Sequence, residues 1–160
     1  MKDIEIFVFG VDPGQKGALV LLGESGIKHV WDWGGQDEAA AQVRFLLGMF
    51  PVRVAAVEKV WALRGERCRN TTTFQQHTGA WRGLFAAFSI PQVDVLPRQW
   101  QKAQIRAKRS RKDKPSVEVV ERLYPDLVLR TSRGRVLDGR ADAVMIARWA
   151  LEQVKQGRLP

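Results

Sequence analysis

The most constraining feature of the chain is a nearly continuous apolar run over residues 4–11. A run of this kind, rich in valine, isoleucine and phenylalanine, is typical of a strand that is covered on both faces. A sheet with helices packed against both sides provides such cover. The 160 residues suffice for one ordinary core, and we therefore expect a single α/β domain over residues 1–160.

Turn residues and apolar spacing divide the rest of the chain into further elements. Strands are predicted over 18–22 and 27–33, and their short connections indicate an antiparallel meander with the first strand. Helices are predicted over 37–50, 74–88, 116–124 and 138–155, and strands over 52–58 and 93–96. The predicted fold is thus a mixed five-stranded sheet, antiparallel in its first three strands and flanked by helices on both faces.

Four carboxylates stand at the ends of these apolar segments. Asp12 follows the first strand, Glu58 closes the fourth, and Asp138 and Asp142 open the last helix. If the first and fourth strands are neighbours, Asp12 and Glu58 lie at the same sheet end, and the i, i+4 pair shares one helical face. Acids beside apolar surface need a partner, and clustered acids resist joint ionisation. The pattern favours a magnesium site and an enzyme over a plain binding module.

Each of these acids also has a purely structural interpretation. Asp12 could cap the Pro13-Gly14 turn, Glu58 could pair with Lys59 at the surface, and Asp142 could be an acid favoured by the helix dipole.

The charge balance indicates a polyanionic partner. The net charge is +9 and the isoelectric point is about 10.3, which suits nucleic acid or an anionic membrane surface. Membrane association is disfavoured because no stretch approaches the roughly 18 apolar residues of a spanning helix, and no signal peptide is recognisable. Cys68 is the single cysteine, so no intrachain disulfide can form, and a cytoplasmic location is expected.

Two segments carry the candidate nucleic-acid contacts. A basic run supplies eight of the 26 Lys and Arg residues, namely Arg98, Lys102, Arg106, Lys108, Arg109, Arg111, Lys112 and Lys114. A polar stretch after the fourth strand supplies Lys59, Trp61, Arg64, Arg67 and Arg69. Cations can neutralise phosphates and an exposed tryptophan can stack on a base. The alternatives are a solvated charged face and a buried Trp61.

The second predicted helix carries a small-residue patch. Gly79 and Gly83 lie four residues apart beside Trp81 and Phe85. Intramolecular packing explains the aromatic residues, but glycine weakens a helix. The glycines therefore suggest close contact with another helix.

Taken together, four motifs resemble the RuvC family of Holliday-junction resolvases, whose fold is the RNase H-like fold of the retroviral integrase superfamily. They are Asp12-Pro13-Gly14 with Gly17, Glu58-Lys59-Val60-Trp61, Lys112-Asp113-Lys114, and Asp138-Gly139-Arg140-Ala141-Asp142-Ala143. Their order is that of the family over residues 4–150. The spacing of the last two acids, Arg98-Gln99-Trp100 and Leu123-Tyr124-Pro125 resemble the phage and chloroplast branch.

The resemblance implies a homodimeric, magnesium-dependent endonuclease that resolves four-way DNA junctions by paired symmetric nicks. Asp12, Glu58 and Asp142, with Asp138, would hold two Mg²⁺ ions per site, with Mn²⁺ as the alternative ion, and no small-molecule cofactor is implied. Lys102 or Lys114 would reach the scissile phosphate, and Trp61 would wedge at the junction centre. The helix with Gly79, Trp81, Gly83 and Phe85 would form the dimer contact. The setting would be the cytoplasm of a bacterial or phage-infected cell.

Three other functions remain open at the level of sequence. The first is a nuclease of the same fold that acts on other branched DNA or on RNA, and the second is a non-catalytic DNA-binding module. The third, an ATPase of the sugar-kinase type suggested by the turn after the first strand, is disfavoured because that architecture needs two such domains.

Overall fold

The computed structural model describes residues 5–59, 68–104 and 114–160. In chain order its elements are β1 (Phe7–Asp12), β2 (Ala18–Gly23), β3 (Gly26–Asp32), α1 (Gln36–Leu47), β4 (Val52–Glu58), α2 (Cys68–Ala87), β5 (Gln92–Val95), α3 (Pro97–Gln104), α4 (Pro115–Leu123) and α5 (Asp138–Lys155). The strands form one five-stranded sheet in the order β3-β2-β1-β4-β5. Strands β1, β2 and β3 pair antiparallel, whereas β4 runs parallel to β1 and β5 parallel to β4. The predicted fold class is confirmed.

The sheet separates two layers of core because successive strand residues point to opposite faces. On one face Val8, Val54 and Ala56 pack with α4 and α5 and with Trp100 of α3. On the other face Phe9 and Val57 pack with residues of α1 and α2. Helices therefore cover both sides of β1, which accounts for the apolar run in its sequence.

Helix α5 crosses β1 at very short range. A Cβ atom at Gly10 would lie 2.4 Å from both the Ala143 carbonyl oxygen and the Ala147 nitrogen, so only glycine permits this approach. Gly139, in the first turn of α5, is packed equally closely. A Cβ atom at Gly139 would lie 2.1 Å from the Lys16 carbonyl oxygen. The strand that ends at Asp12 and the helix that carries Asp142 are thus held together by main-chain contact.

Several boundaries differ from the sequence prediction, and one helix was not predicted. Strand β1 begins at Phe7 rather than at residue 4, and α2 begins at Cys68, six residues before the predicted start at Phe74. The first turns of α2 are polar and have no apolar period to detect. Helix α3 was not predicted because Trp100 is its one described residue with a buried side chain, although Pro97 at its first position is a helix-start signal.

Within the described ranges, none of the helices combines the length and the apolar character that crossing a membrane would require.

Candidate active site

Asp12 and Glu58 lie side by side at the carboxyl ends of two adjacent parallel strands. Val11 of β1 is in register with Val57 of β4, so the next residue of each strand is one of the two acids. Asp12 Oδ1 accepts a hydrogen bond of 2.9 Å from the Gly14 N–H in the turn that follows β1. The prediction that the two carboxylates share one end of the sheet is therefore confirmed.

The Glu58 carboxylate is held by an aromatic side chain. Glu58 is 8% exposed, and its Oε1 accepts a buried hydrogen bond of 2.9 Å from the indole N–H of Trp100. Trp100 itself is 2% exposed and forms part of the core beneath α5. Trp100 is therefore a packing residue whose indole N–H also orients a site carboxylate, a role that the sequence analysis missed.

Asp138 and Asp142 lie on one face at the start of α5. Asp142 is 7% exposed, and its Oδ1 accepts a 2.5 Å hydrogen bond from the Ser116 hydroxyl. The Lys114 ammonium lies between the two acids, 2.8 Å from Asp138 Oδ2 and 3.1 Å from Asp142 Oδ2. Lys114 thereby lies beside two of the four acids, and its contact with the scissile phosphate stays a prediction.

Ser116 binds a site carboxylate and does not cap its own helix. The N-cap position of α4 is Lys114, and no side chain caps it. Ser116 is the second residue of α4, is 2% exposed, and donates to Asp142. The signal for this role is tertiary, because only the packing of α4 against α5 brings the hydroxyl to the carboxylate.

Burial and repulsion between the acids disfavour the ionised form of the carboxyl groups in the site. Burial, together with the charge of Asp142, raises the pKa of Asp12 to about 6, against the opposing effect of the Gly14 N–H. Burial and the charge of Asp12 raise the pKa of Glu58 to about 7. Burial also raises the pKa of Asp142 above its usual range, even though Lys114 and Ser116 lower it.

The pKa of Lys114 is also raised, but here the increase favours the charged form of the side chain. Burial by itself lowers the pKa of its ammonium, but the carboxylates of Asp142 and Asp138 outweigh that effect and raise the pKa. The lysine therefore remains charged and is the counter-ion of the two α5 acids. One ammonium cannot balance four carboxylates. The cluster therefore carries excess negative charge when the acids are ionised, and a further cation would stabilise it.

The four acids line one open cleft of about 460 Å³. Its walls come from the β1–β2 turn, the end of β4, the N-terminal half of α2, and the starts of α4 and α5. The lining residues are Asp12, Gly14, Gln15, Lys16, Glu58, Thr73, Phe74, Lys114, Asp138 and Asp142. The cleft thus brings the carboxylates of all four acids to one open surface of the protein.

The donor set fits a hard divalent cation, although it is not drawn together as a finished metal site. In the part of the chain that the structure describes, no group of three or more His, Cys, Asp or Glu side chains is arranged to hold a metal. The charges of the site acids nevertheless act on one another: besides burial, the charge of Asp142 raises the pKa of Asp12, and the charges of Asp12 and Asp142 raise the pKa of Glu58. Oxygen donors of this kind are the ligands that Mg²⁺ prefers.

The predicted nucleic-acid contacts are only partly within the described residues. Lys59 pairs with Asp94 of β5 at 3.1 Å, and Arg98 and Lys102 are exposed on α3. Lys102 does not line the cleft, because Trp100, two residues earlier on α3, takes the inward direction. Outside the described residues lie Trp61, Arg64, Arg67, Arg106, Lys108, Arg109, Arg111, Lys112 and the side chain of Arg69. Their DNA contacts stay predictions.

The predicted dimer residues fall into two groups. Gly79 and Gly83 are exposed on α2. Trp81 and Phe85 are 0% exposed and stack on each other in the core of their own chain, with ring centroids 5.6 Å apart. The assignment of these two aromatic residues to a dimer contact therefore needs correction, because their side chains have no surface left for a partner.

Comparison with known proteins rests on structure, since neither protein-family models nor curated protein sequences match the chain. The fold is similar to that of T. thermophilus RuvC in complex with a Holliday junction substrate, with 18% identity, a TM-score of 0.67, and coverage of 96% of this chain and 98% of that one. A second structure of Thermus thermophilus RuvC gives 18% identity, a TM-score of 0.64 and the same coverage.

A third similar structure is the yeast mitochondrial Holliday junction resolvase Ydc2. It has 17% identity and a TM-score of 0.57, and the match covers 94% of this chain and 81% of that one. All three likenesses extend over nearly the whole chain. The protein therefore has the RNase H-like fold of the RuvC Holliday-junction resolvases.

Proposed function

We propose that this protein is a divalent-metal-dependent endonuclease that resolves four-way DNA junctions. The observation that carries the proposal is the convergence of Asp12, Glu58, Asp138 and Asp142 in one open cleft at the end of β1 and β4. The RuvC-like fold and the net charge of +9 support a DNA substrate.

In this proposal the carboxylates of Asp12, Glu58, Asp138 and Asp142 would hold Mg²⁺, which when bound would supply activation of water and stabilisation of the leaving oxygen of the scissile phosphodiester. The chain's own residues prepare the site. The Trp100 indole N–H donates to one oxygen of Glu58, and the Ser116 hydroxyl donates to one oxygen of Asp142. Each bond also sets the direction of the second oxygen of the same carboxylate. Partners of this kind orient ligands and raise the affinity for the metal.

Lys114 has two tasks in the same proposal. Its ammonium screens Asp138 from Asp142 by contacting both carboxylates. Its side chain is 55% exposed at the cleft, so it is also accessible to a phosphate. Release of the ammonium from the acids towards the scissile phosphate would keep the cleft near charge balance when divalent ions enter.

We also propose that the protein acts as a homodimer through the outer surface of α2. Gly79 and Gly83 border a groove of about 330 Å³ between α1 and α2, together with Ala39, Ala40 and Leu84. A Cβ at either glycine would meet nothing within 4 Å, so packing within the chain does not require them. A symmetric pair of active sites suits a junction of near two-fold symmetry.

The dimer is tested by the pair of substitutions Gly79→Ala and Gly83→Ala, measured by sedimentation and by thermal unfolding. Each alanine should favour the helix by about 1 kcal/mol, while the added methyl groups should weaken close contact between two copies. Dissociation to monomers at an unchanged or higher Tm supports the proposal. A wild-type protein that is monomeric on junction DNA would refute it.

The catalytic proposal is tested on a synthetic four-way junction with Mg²⁺, using denaturing gels to map every strand. We expect paired nicks at symmetric positions, and loss of both with Asp12→Asn. Cleavage of flaps, forks or RNA in preference to the junction would favour the nuclease of different specificity. Binding with every strand intact, for wild type and Asp12→Asn alike, would instead indicate the non-catalytic module.

A further inference from the structure

A short basic hairpin stands immediately before α5. Arg130 and Val136 form an antiparallel bridge, and between them the Thr131 N–H donates to the Arg135 carbonyl oxygen at 2.9 Å. The Gly134 N–H closes the turn on the Thr131 carbonyl oxygen at 2.8 Å, and Gly134 has a φ of 78°, which favours glycine. The turn displays the side chains of Arg133 and Arg135 to solvent.

The hairpin is firmly attached to the elements that build the active site. Arg140 of α5 donates two hydrogen bonds to the carboxylate of Asp32 at the end of β3, at 2.7 and 2.9 Å, and a third to the Val128 carbonyl oxygen at 2.9 Å. At the base of the hairpin the Leu137 N–H donates to the Leu129 carbonyl oxygen at 2.8 Å. The backbone of the hairpin, which carries Arg133 and Arg135, therefore has a defined position relative to Asp138.

A second depression, of about 190 Å³, lies between this hairpin, the β1–β2 turn and the start of α5. Arg135, Arg140 and Lys16 contribute its cationic lining. Gln15, Lys16 and Asp138 line both this depression and the catalytic cleft. The two are thus continuous, and a strand whose scissile phosphate occupies the cleft can extend directly into the depression.

The charges in the depression are unequally balanced. The Arg140 guanidinium is paired with Asp32, and Asp138 shares the Lys114 ammonium with Asp142. Over residues 5–59, 68–104 and 114–160, the ion pairs include neither Lys16 nor Arg135. Within the described residues, the exposed Lys16 and Arg135 line this concave site without carboxylate partners, and their charges favour an anion between them.

We propose that Lys16 and Arg135 bind a backbone phosphate of the cut strand, next to the scissile phosphate, and that the exposed Arg133 of the same turn adds positive charge beside them. The ligand class is a phosphodiester of nucleic acid, and its identification as DNA rests on the proposed function. The residues of this site are not part of the basic run between Arg98 and Lys114 in the sequence. The site fixes the register of the strand in the cleft, because a contact to a flanking phosphate positions the substrate without reading its sequence.

The first test measures junction binding by fluorescence anisotropy in EDTA at several salt concentrations. The variant is Arg133→Ala with Arg135→Ala, and the matched control is Arg44→Ala with Arg53→Ala. The control removes two exposed arginines, one on α1 and one at the far end of β4 from Glu58. Each lost phosphate contact should lower the salt slope by about 0.9 and weaken binding about tenfold near 0.1 M salt.

The second test locates the contact on the DNA. Neutral methylphosphonates replace, one at a time, the phosphates on each side of the scissile one. Wild type should lose affinity at one flanking position, and Arg135→Ala should lose nothing further there. Arg135→Gln, which keeps a polar side chain without the charge, should behave as Arg135→Ala does, and thermal unfolding should show that each variant is folded.

The outcomes separate this inference from the proposed function. If wild type cuts the junction but the hairpin variant binds with the control's affinity and salt slope, the phosphate site is refuted and the nuclease stands. If wild type binds DNA through the hairpin but cuts no substrate, the phosphate site stands and the nuclease is refuted. If wild type does not bind nucleic acid at all, both are overturned.

Discussion

Replacing Asp12 with asparagine should stabilise the metal-free protein at pH 8. The pKa of Asp12 is raised from 3.8 to about 6, and one pKa unit corresponds to about 1.4 kcal/mol. Ionising this carboxyl at pH 8 therefore costs the folded state about 3 kcal/mol. Asparagine removes the charge but keeps the Oδ1 atom that accepts the Gly14 N–H at 2.9 Å.

The sign of the pH dependence follows from linkage. Because the folded state holds the Asp12 proton more tightly than the unfolded state, raising the pH from about 4 to about 6 progressively destabilises wild type, and the full penalty applies above pH 6. Asp12→Asn avoids the penalty. For a chain of 160 residues, we expect its Tm to exceed that of wild type by up to about 10 °C at pH 8. The difference should vanish near pH 4.

The assay is thermal unfolding followed by circular dichroism between pH 4 and pH 8, in EDTA and in Mg²⁺. Metal at about 100 times its Kd should stabilise wild type by about 2.7 kcal/mol, and should stabilise Asp12→Asn much less because one ligand is lost. Asp126→Asn, at an exposed position outside the cleft, is the control and should shift neither profile. A variant less stable than wild type at pH 8, or a Tm difference that does not change with pH, would refute the reasoning.

Three further predictions concern the residues that position the carboxylates. Trp100→Phe keeps an aromatic ring in the core but removes the N–H donor to Glu58, and calorimetric titration should show Mn²⁺ affinity lowered about 10-fold or more; unchanged affinity would make Trp100 a packing residue alone. Ser116→Ala removes the donor to Asp142 and should likewise weaken Mn²⁺ binding, with destabilisation of about 1 kcal/mol in urea unfolding; Ser116→Thr, which retains the hydroxyl, should restore affinity if the hydroxyl is what matters. Gly10→Ala would place its Cβ 2.4 Å from the α5 backbone and should destabilise the fold by about 3 kcal/mol or more, a result that a normal denaturation midpoint would contradict.

The neighbourhood of the acids could be predicted because it depends on regular geometry. Strand order and a parallel pairing suffice to put Asp12 beside Glu58, and helical periodicity puts Asp138 above Asp142. Both rules act over one or two elements, and the apolar runs identify those elements. The fold class followed from the same runs, since a doubly covered strand requires helices on both faces.

The partners of the acids could not be predicted, because they depend on tertiary packing. The Trp100 indole reaches a carboxylate 42 residues earlier, and the Ser116 hydroxyl reaches one 26 residues later. No local pattern distinguishes a tryptophan that only fills space from one that also donates a hydrogen bond. The same limit explains the error at Trp81 and Phe85, because the spacing of aromatic residues shows that they share a face but not which surface covers it.

The contact between Gly10 and α5 has a consequence for the motions of the protein. Two of the carboxylates are carried by backbone segments that touch each other, so neither can move far without separating β1 from α5. The amide hydrogens of these two segments should therefore exchange with solvent only when the whole domain opens, whereas surface turns exchange through local fluctuations. Asp12 and Asp142 would then lie in the slowest-exchanging part of the chain.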